Sequence, residues 1–330
     1  MLAPRSQNRV LLPYMGGARR PAGASLHTLT GATMGTGWTV KIAAARPDMT
    51  AVGRAVSAVL QTVVSQMSPW IADSNLNRFN RAPAGAGVEV PEAMREVLDA
   101  ALAVARQSDG AFDPTLGELT GLWGFGPTPA PTLPPSNKAV EAARARSGWT
   151  RLAFDGPRLI QPGGLSLDLC GIAKGYAVDR IDAALDAMGI SSRLVEIGGE
   201  LRGAGLKPNG EPWWVEIERP PGAAGARRTL AGLHNLAVAT SGNHRRFFDH
   251  RGRRFCHTLD PRTGRALAGG PVCVSVLHRS AMLADALATA LTVMSPETAM
   301  LFCETHDVAA SITPSAVSDD RLSPALIALL

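Results

Sequence analysis

The sequence predicts an α+β fold in which mixed, mainly antiparallel sheets carry packed helices. Three observations lead there. Apolar residues recur with the 3.6-residue period of amphipathic helices at about 51–66, 91–108, 137–147, 171–188 and 280–294. Strand-like runs lie between and beside them, near 36–43, 193–204, 213–218, 234–239, 245–257 and 271–278. Within the fifth of these runs, Phe247 to Phe255 reads as a hairpin turning at Arg251-Gly252, and a hairpin makes its strands antiparallel. Residues 127–135, rich in proline, read as a stiff surface loop ahead of the 137–147 helix, and no internal repeat is present.

A chain of 330 residues exceeds a typical single domain, so one large unit or two closely joined lobes are expected. Its 45% hydrophobic and 18% charged residues are those of a soluble globular protein. No stretch reaches the ~20 apolar residues that a membrane-spanning helix requires. The net charge of +5 comes from 33 basic and 28 acidic residues. Part of the excess is Arg5, Arg9, Arg19 and Arg20; part is Arg245, Arg246, Arg251, Arg253 and Arg254 around Phe247-Phe248. Such a patch raises the question of nucleic-acid binding, but the hairpin accounts for it and no nucleic-acid module is visible. The cysteines Cys170, Cys256, Cys273 and Cys303 make no CxxC pair and no zinc-like spacing, so free and mostly buried thiols are expected.

Three segments carry chemistry. In the first, Leu165, Leu167 and Leu169 alternate with Ser166 and Asp168 as in a half-buried strand, and a helix follows from Ile172 through Tyr176, Ile181, Leu185 and Met188 to Gly189. A glycine turn at Gly171 opens that helix, where unpaired N–H groups and the helix dipole favour an anion. Lys174 adds a positive charge one turn in; the plainer alternative is a capped turn with a surface lysine. In the second, residues 280–291 are apolar nearly all round, which makes Asp285 a buried carboxylate with Thr289 four residues on along the same face. Two oxygen donors suit a hard cation such as Mg²⁺. The alternative is that Asp285 pairs with Arg279 or another basic residue and Thr289 bonds its own backbone. In the third, Arg254 to Gly264, a strand runs into an Asp-Pro-x-Thr-Gly turn that displays His257 and Asp260 together. Histidine titrates near neutrality and serves as acid or base, though a histidine at a strand end is commonly structural.

Taken together these segments resemble the ApbE-type flavin transferases, magnesium-dependent FAD:protein FMN transferases. The resemblance extends, in order, through Gly31 to Trp38, Met67 to Asn80, Gly110 to Thr115, Leu122 to Gly126, Leu194 to Glu200 and Ala239 to Gly242, covering about 260 residues. It implies an ApbE-like, T-fold-related α+β architecture over 29–315, preceded by a disordered extension over 1–28 and followed by a tail at 316–330. It also implies a reaction: FMN passes from FAD to a threonine or serine hydroxyl of an acceptor flavoprotein carrying an Asp- and Thr-containing motif, and AMP leaves. By matching positions, Mg²⁺ would be held by Asp285, Thr289 and the backbone of Gly171 and Ala288. FAD would meet Met34, Trp70, Ala111, Phe112, Asp113, Asp168, Lys174 and the backbone of Leu259. Trp70 replaces the tyrosine often found there, keeping a stacking surface and losing a hydroxyl. Trp123 and Phe125 read as core. His257 would activate the acceptor hydroxyl, with Asp260 orienting the imidazole. Two other functions use the same residues: an FAD pyrophosphatase giving FMN and AMP, and a non-catalytic FAD carrier. Family members are commonly exported, often through a lipidated N-terminal cysteine. Here no cysteine precedes Cys170, and Val10-Leu11-Leu12 is too short for a secretory core, so a cytoplasmic protein or a misassigned start is expected.

Overall fold

Successive side chains of a strand point to opposite faces, and this period of two divides the molecule into layers. A computed structural model describes residues 9–17, 20–127, 133–220, 228–267, 272–315 and 319–330. Arg5, Arg19, the middle of the expected 127–135 loop and the start of the expected 271–278 strand lie outside the described residues. The largest sheet has eight strands, in the order Arg321–Leu322, Ala309–Thr313, Cys273–His278, Leu236–Gly242, Glu200–Ala204, Arg193–Ile197, Thr36–Ala44 and Ser25–Thr33. Every pairing in it is antiparallel. Val40, Ile42, Val195, Ile197, Ala237, Ala239, Val274 and Val276 join one core with the helices Met49–Met67, Ala173–Ala187 and Ala281–Val293. Their alternates Ala43, Leu194, Val238 and Leu277 join a second core. That core lies against a three-stranded sheet of Arg9–Leu11, Thr229–Leu233 and Trp213–Glu216, whose first pair is parallel. The result is the mixed, mainly antiparallel α+β architecture that the sequence predicts.

The helices begin where their first N–H groups find acceptors. Asp48 caps Met49–Met67 through Thr50 and Ala51, and Ser280 caps Ala281–Val293 through Leu283. The helix Ala173–Ala187 has no side-chain cap of its own and ends at Met188, with Gly189 at φ 75°. The expected helices at 51–66, 91–108, 137–147, 171–188 and 280–294 appear as Met49–Met67, Glu92–Gln107, Asn137–Arg146, Ala173–Ala187 and Ala281–Val293. The hairpin also forms, with Phe247–His250 paired to Arg253–Cys256 and both Arg251 and Gly252 left-handed. Trp123 and Phe125 are buried in a third core with Phe255 and Leu259, as core residues.

Two expectations are corrected. Of the extension expected to be disordered, Arg9–Leu11 is a strand with Leu11 fully buried, and Ser25–Thr33 pairs along its whole length with Thr36–Ala44. The charged composition of that stretch hid the apolar residue every strand needs only on one face. The alternating segment Leu165 to Leu169 is extended but is not a sheet strand. Its three leucines are buried as predicted, yet its backbone bonds go to the Asn80 side chain at Leu167, to the Gln161 side chain at Leu165, and to Pro114 and Gly117. Of the described residues 319–330, Arg321–Leu322 closes the large sheet and Leu326 of Pro324–Ile327 is fully buried.

Candidate active site

Two helices meet at the centre of the chemical segments. Gly175 allows it: a Cβ there would stand 2.2 Å from the Ala281 carbonyl oxygen, so only glycine lets the two backbones approach this closely. At this contact the Gly175 N–H donates to Asp285 Oδ2 at 3.1 Å. The anion expected at the start of the 173–187 helix is therefore in part a carboxylate of the protein itself. Lys174 Nζ lies 4.0 Å from the same oxygen and 2.5 Å from Glu200 Oε1. Asp285 thus does pair with a basic residue, Lys174 rather than Arg279. Burial raises the Asp285 carboxyl above its ordinary range, against the pull of Lys174 and the Gly175 N–H. Burial alone would lower Lys174, but Asp285 and Glu200 beside it hold it above its usual value.

Four residues further along the helix, Thr289 Oγ1 meets Ser241 Oγ at 3.2 Å, so its hydroxyl serves a neighbouring strand. Gly171 faces the same hydroxyl: a Cβ on it would be 3.0 Å from Thr289 Oγ1 and 3.4 Å from the Phe112 ring. Gly171 and Ser241 thus meet at the Thr289 hydroxyl, one helical turn along from Asp285. Their donor atoms are all oxygen, the chemistry a hard divalent cation takes. Among the described residues no three His, Cys, Asp or Glu side chains cluster, which leaves hydroxyl and carbonyl oxygens to complete such a site. The Ala288 carbonyl already accepts the Thr292 hydroxyl at 2.8 Å.

His257 enters from the hairpin. Its N–H and its Nδ1 both address the Arg246 carbonyl, at 3.0 Å and 3.2 Å, and the Phe125 ring meets its edge at 6.3 Å between centroids. A carbonyl only accepts, so Nδ1 carries the proton and Nε2 keeps its lone pair. Burial, together with the positive charges of Arg246, Lys174 and Arg245, pushes the imidazolium pKa down to about 4. The expectation that Asp260 orients this imidazole is not met. Both its carboxylate oxygens are engaged by Arg262, through the backbone N–H at 3.0 Å and the guanidinium at 2.9 Å and 3.1 Å. An Asx turn explains this: the carboxylate closes on the N–H two residues on before it can reach back to His257.

The remaining expected residues are more scattered. Asp168 accepts Thr120 Oγ1 at 2.8 Å and the Cys170 N–H at 2.9 Å, which fixes the turn into the lysine helix. Asp113 accepts Thr115 twice and the Trp149 N–H, and burial raises its carboxyl despite those bonds. Ala111, Phe112 and Leu259 are buried, whereas Trp70 is 50% exposed. Met34 sits at the tip of the first hairpin in the left-handed region, φ 49°. Cys170 is exposed and the other three cysteines are buried and free. Sequence reasoning passed over Glu200, Ser241 and Arg245 as site residues. Glu200 did leave a signal: an acidic residue opening a strand directly behind two glycines. Arg245 spans Glu218 and the Gly198 carbonyl, packed where a Cβ on Gly199 would stand 2.6 Å from its guanidinium.

Solved structures share this fold over nearly the whole chain. The apo form of the Pseudomonas stutzeri flavinyl transferase ApbE superposes with a TM-score of 0.85 at 37% identity, covering 93% of this chain and 97% of that one. The flavin transferase ApbE from Vibrio cholerae gives 0.86 at 33% identity, covering 93% and 100%. Among curated relatives, the FAD:protein FMN transferase of a Vibrio cholerae strain is 36% identical over 304 residues, 90% of this chain and 89% of the relative. That of Escherichia coli K12 is 32% identical over 297 residues, 87% and 85%. The fold is therefore the one found in ApbE flavin transferases. The ApbE family model matches residues 34–312, and this chain belongs to the ApbE family.

Proposed function

We propose that the chain is an FAD:protein FMN transferase that moves FMN from FAD onto a threonine or serine hydroxyl of an acceptor flavoprotein and releases AMP, with Mg²⁺ bound. The observation that carries this reading is the convergence of three distant segments. Gly171 to Gly175, Ser241 to His257, and Asp285 to Thr289 meet through the 3.1 Å Gly175–Asp285 bond, the 3.2 Å Ser241–Thr289 contact and the cations around His257. Family membership and the names carried by its relatives support the same reading.

In this scheme the acceptor oxygen attacks the FMN phosphorus of FAD. A new P–O ester forms, the bond from that phosphorus to the bridging oxygen breaks, and AMP leaves with that oxygen. His257 Nε2 takes the hydroxyl proton as attack proceeds, with Nδ1–H anchored to the Arg246 carbonyl. A pKa near 4, set mainly by burial, keeps the imidazole free of its proton, and the negative charge of a bound pyrophosphate offsets the smaller share that the nearby cations contribute. Lys174 and Arg245 supply positive charge for the two phosphates. Asp285 and Thr289, with the backbone of Gly171 and Ala288, would hold Mg²⁺, and Ala288 contributes least because its carbonyl is already engaged. When bound, that ion neutralises phosphate charge and orients the phosphoryl oxygens. Met34, Trp70, Ala111, Phe112 and Leu259 would line the flavin and adenine rings, while Asp113 and Asp168 shape the turns beside them.

Mass spectrometry of an acceptor protein, incubated with this chain, FAD and Mg²⁺, tests the reading. A gain of one FMN with stoichiometric AMP is expected. Free FMN and AMP without an adduct would make the chain a pyrophosphatase, and intact bound FAD would make it a carrier.

A further inference from the structure

Lys174 stands between two carboxylates and takes the one that the proposed cation does not need. Its ammonium is 2.5 Å from Glu200 Oε1 and 4.0 Å from Asp285 Oδ2. Neither backbone is free to shift this balance. The lysine precedes Gly175, which is locked against the Ala281 carbonyl. Glu200 follows the left-handed Gly198-Gly199 turn, where the Gly198 N–H donates to the Gly37 carbonyl at 3.1 Å and the Gly199 N–H to Glu196 at 2.9 Å. Side-chain torsions therefore decide which carboxylate the lysine meets.

Glu200 itself is 1% exposed, and its second oxygen, Oε2, is buried without a hydrogen-bond partner. Burying a carboxylate oxygen unpaired costs free energy, and the Glu200–Lys174 pair as a whole is of a kind that well-packed apolar side chains replace without loss of stability. Stability alone therefore does not call for this pair.

We propose that Glu200 is a positioning residue that holds Lys174 off Asp285 and so leaves the Asp285 carboxylate available to a divalent cation. Without Glu200 the ammonium closes the 4.0 Å gap to Asp285, and any cation has to displace it. The inference rests on Asp285 being a cation ligand, as proposed above.

Direct binding of Mn²⁺, followed by electron paramagnetic resonance with and without FAD and competed by Mg²⁺, is the test. Wild type is expected to bind Mn²⁺, Glu200→Gln to bind it at least about tenfold more weakly, and Lys174→Met to bind it no worse than wild type. The decisive variant is the double one, Glu200→Gln with Lys174→Met, expected to return to within about threefold of Lys174→Met alone. Loss of a negative charge by itself would weaken binding equally with or without the lysine, so equal weakening in both backgrounds overturns the proposal. So does unchanged binding by Glu200→Gln. Should that variant not fold, Glu200→Asp, one methylene shorter, carries the same comparison with a smaller loss. A wild type that binds no Mn²⁺ under either condition removes the cation reading of Asp285 and this inference with it.

Discussion

Asp179 and Asp285 perform the same act on opposite helices. Each reaches from its own helix to the first turn of the other: Asp285 to the Gly175 N–H, and Asp179 to the Ala281 and Met282 N–H groups at 2.9 Å and 3.0 Å. There the likeness ends. Asp179 is saturated, since it also accepts Ser280 Oγ at 2.6 Å and the Arg202 guanidinium at 2.8 Å. Asp285 accepts one N–H, keeps its lysine at 4.0 Å, and has its carboxyl raised by burial. A carboxylate whose lone pairs are all spoken for holds a structure together. One left under-coordinated in a buried place is available for chemistry.

Exchanging each acid for its amide sharpens that contrast most. Asp285→Asn keeps an oxygen for the Gly175 N–H and removes a poorly compensated buried charge, so Tm should hold or rise. FMN transfer at saturating FAD and Mg²⁺ should fall about a thousandfold or more, the scale of losing a main electrostatic element of a site. Asp179→Asn should do the reverse. It puts an NH₂ against the Met282 N–H or the Arg202 guanidinium, and should cost about 3 kcal/mol of stability while leaving turnover per folded molecule within about twofold. Thermal melts beside product assays measure both. If Asp179→Asn lowers turnover as deeply as Asp285→Asn, the division between structural and chemical acid is wrong.

His257 extends the comparison to the hairpin. His257→Ala should lower kcat by about a hundredfold or more and leave the FAD dissociation constant nearly unchanged, because the imidazole acts on the acceptor hydroxyl. An equal loss of FAD affinity would make it a binding residue. The same histidine leaves a mark on stability. Its folded pKa of about 4 lies below the unfolded value, so between the two the unfolded chain binds the proton first. Stability from this group is full above the unfolded pKa of about 6.5 and falls as pH drops toward 4. The Tm of wild type should therefore decline more steeply than that of His257→Ala over that window; parallel curves would place His257 in solvent.

Much of this was legible in the sequence, for physical reasons that can be named. The apolar period gave five of the long helices, though not Pro296–His306, and the odd presence of an acid in the 280–291 run pointed to Asp285 because a buried carboxylate needs a partner. What stayed hidden was partnership across long separations. Nothing local says that Asp179 caps a helix about a hundred residues later, that Glu200 takes Lys174, or that Asn80 and Gln161 satisfy the backbone of Leu165 and Leu167 and so keep it out of a sheet. Asp260 misled for the opposite reason: its proximity to His257 in sequence is real, but a closer donor at Arg262 takes its carboxylate.

The smallest expected effect separates two hairpin tips with the same backbone. Met34-Gly35 and Arg251-Gly252 both turn left-handed, at φ 49° and 73° and at 49° and 74°. Such two-residue turns favour Asn-Gly, and a residue other than Gly, Asn or Asp at the first position costs roughly 1 kcal/mol. Arg251 is exposed at its tip, so Arg251→Asn should recover that strain, raise Tm slightly and leave the kinetics unchanged. Met34 is partly buried against the main core, so Met34→Asn relieves the same strain but gives up apolar contact. The flavin contact proposed for Met34 would give its strain a use that Arg251 lacks. Met34→Asn should then raise the KM for FAD several-fold with kcat little changed, while Arg251→Asn moves neither. An unchanged KM would leave the left-handed methionine as packing alone.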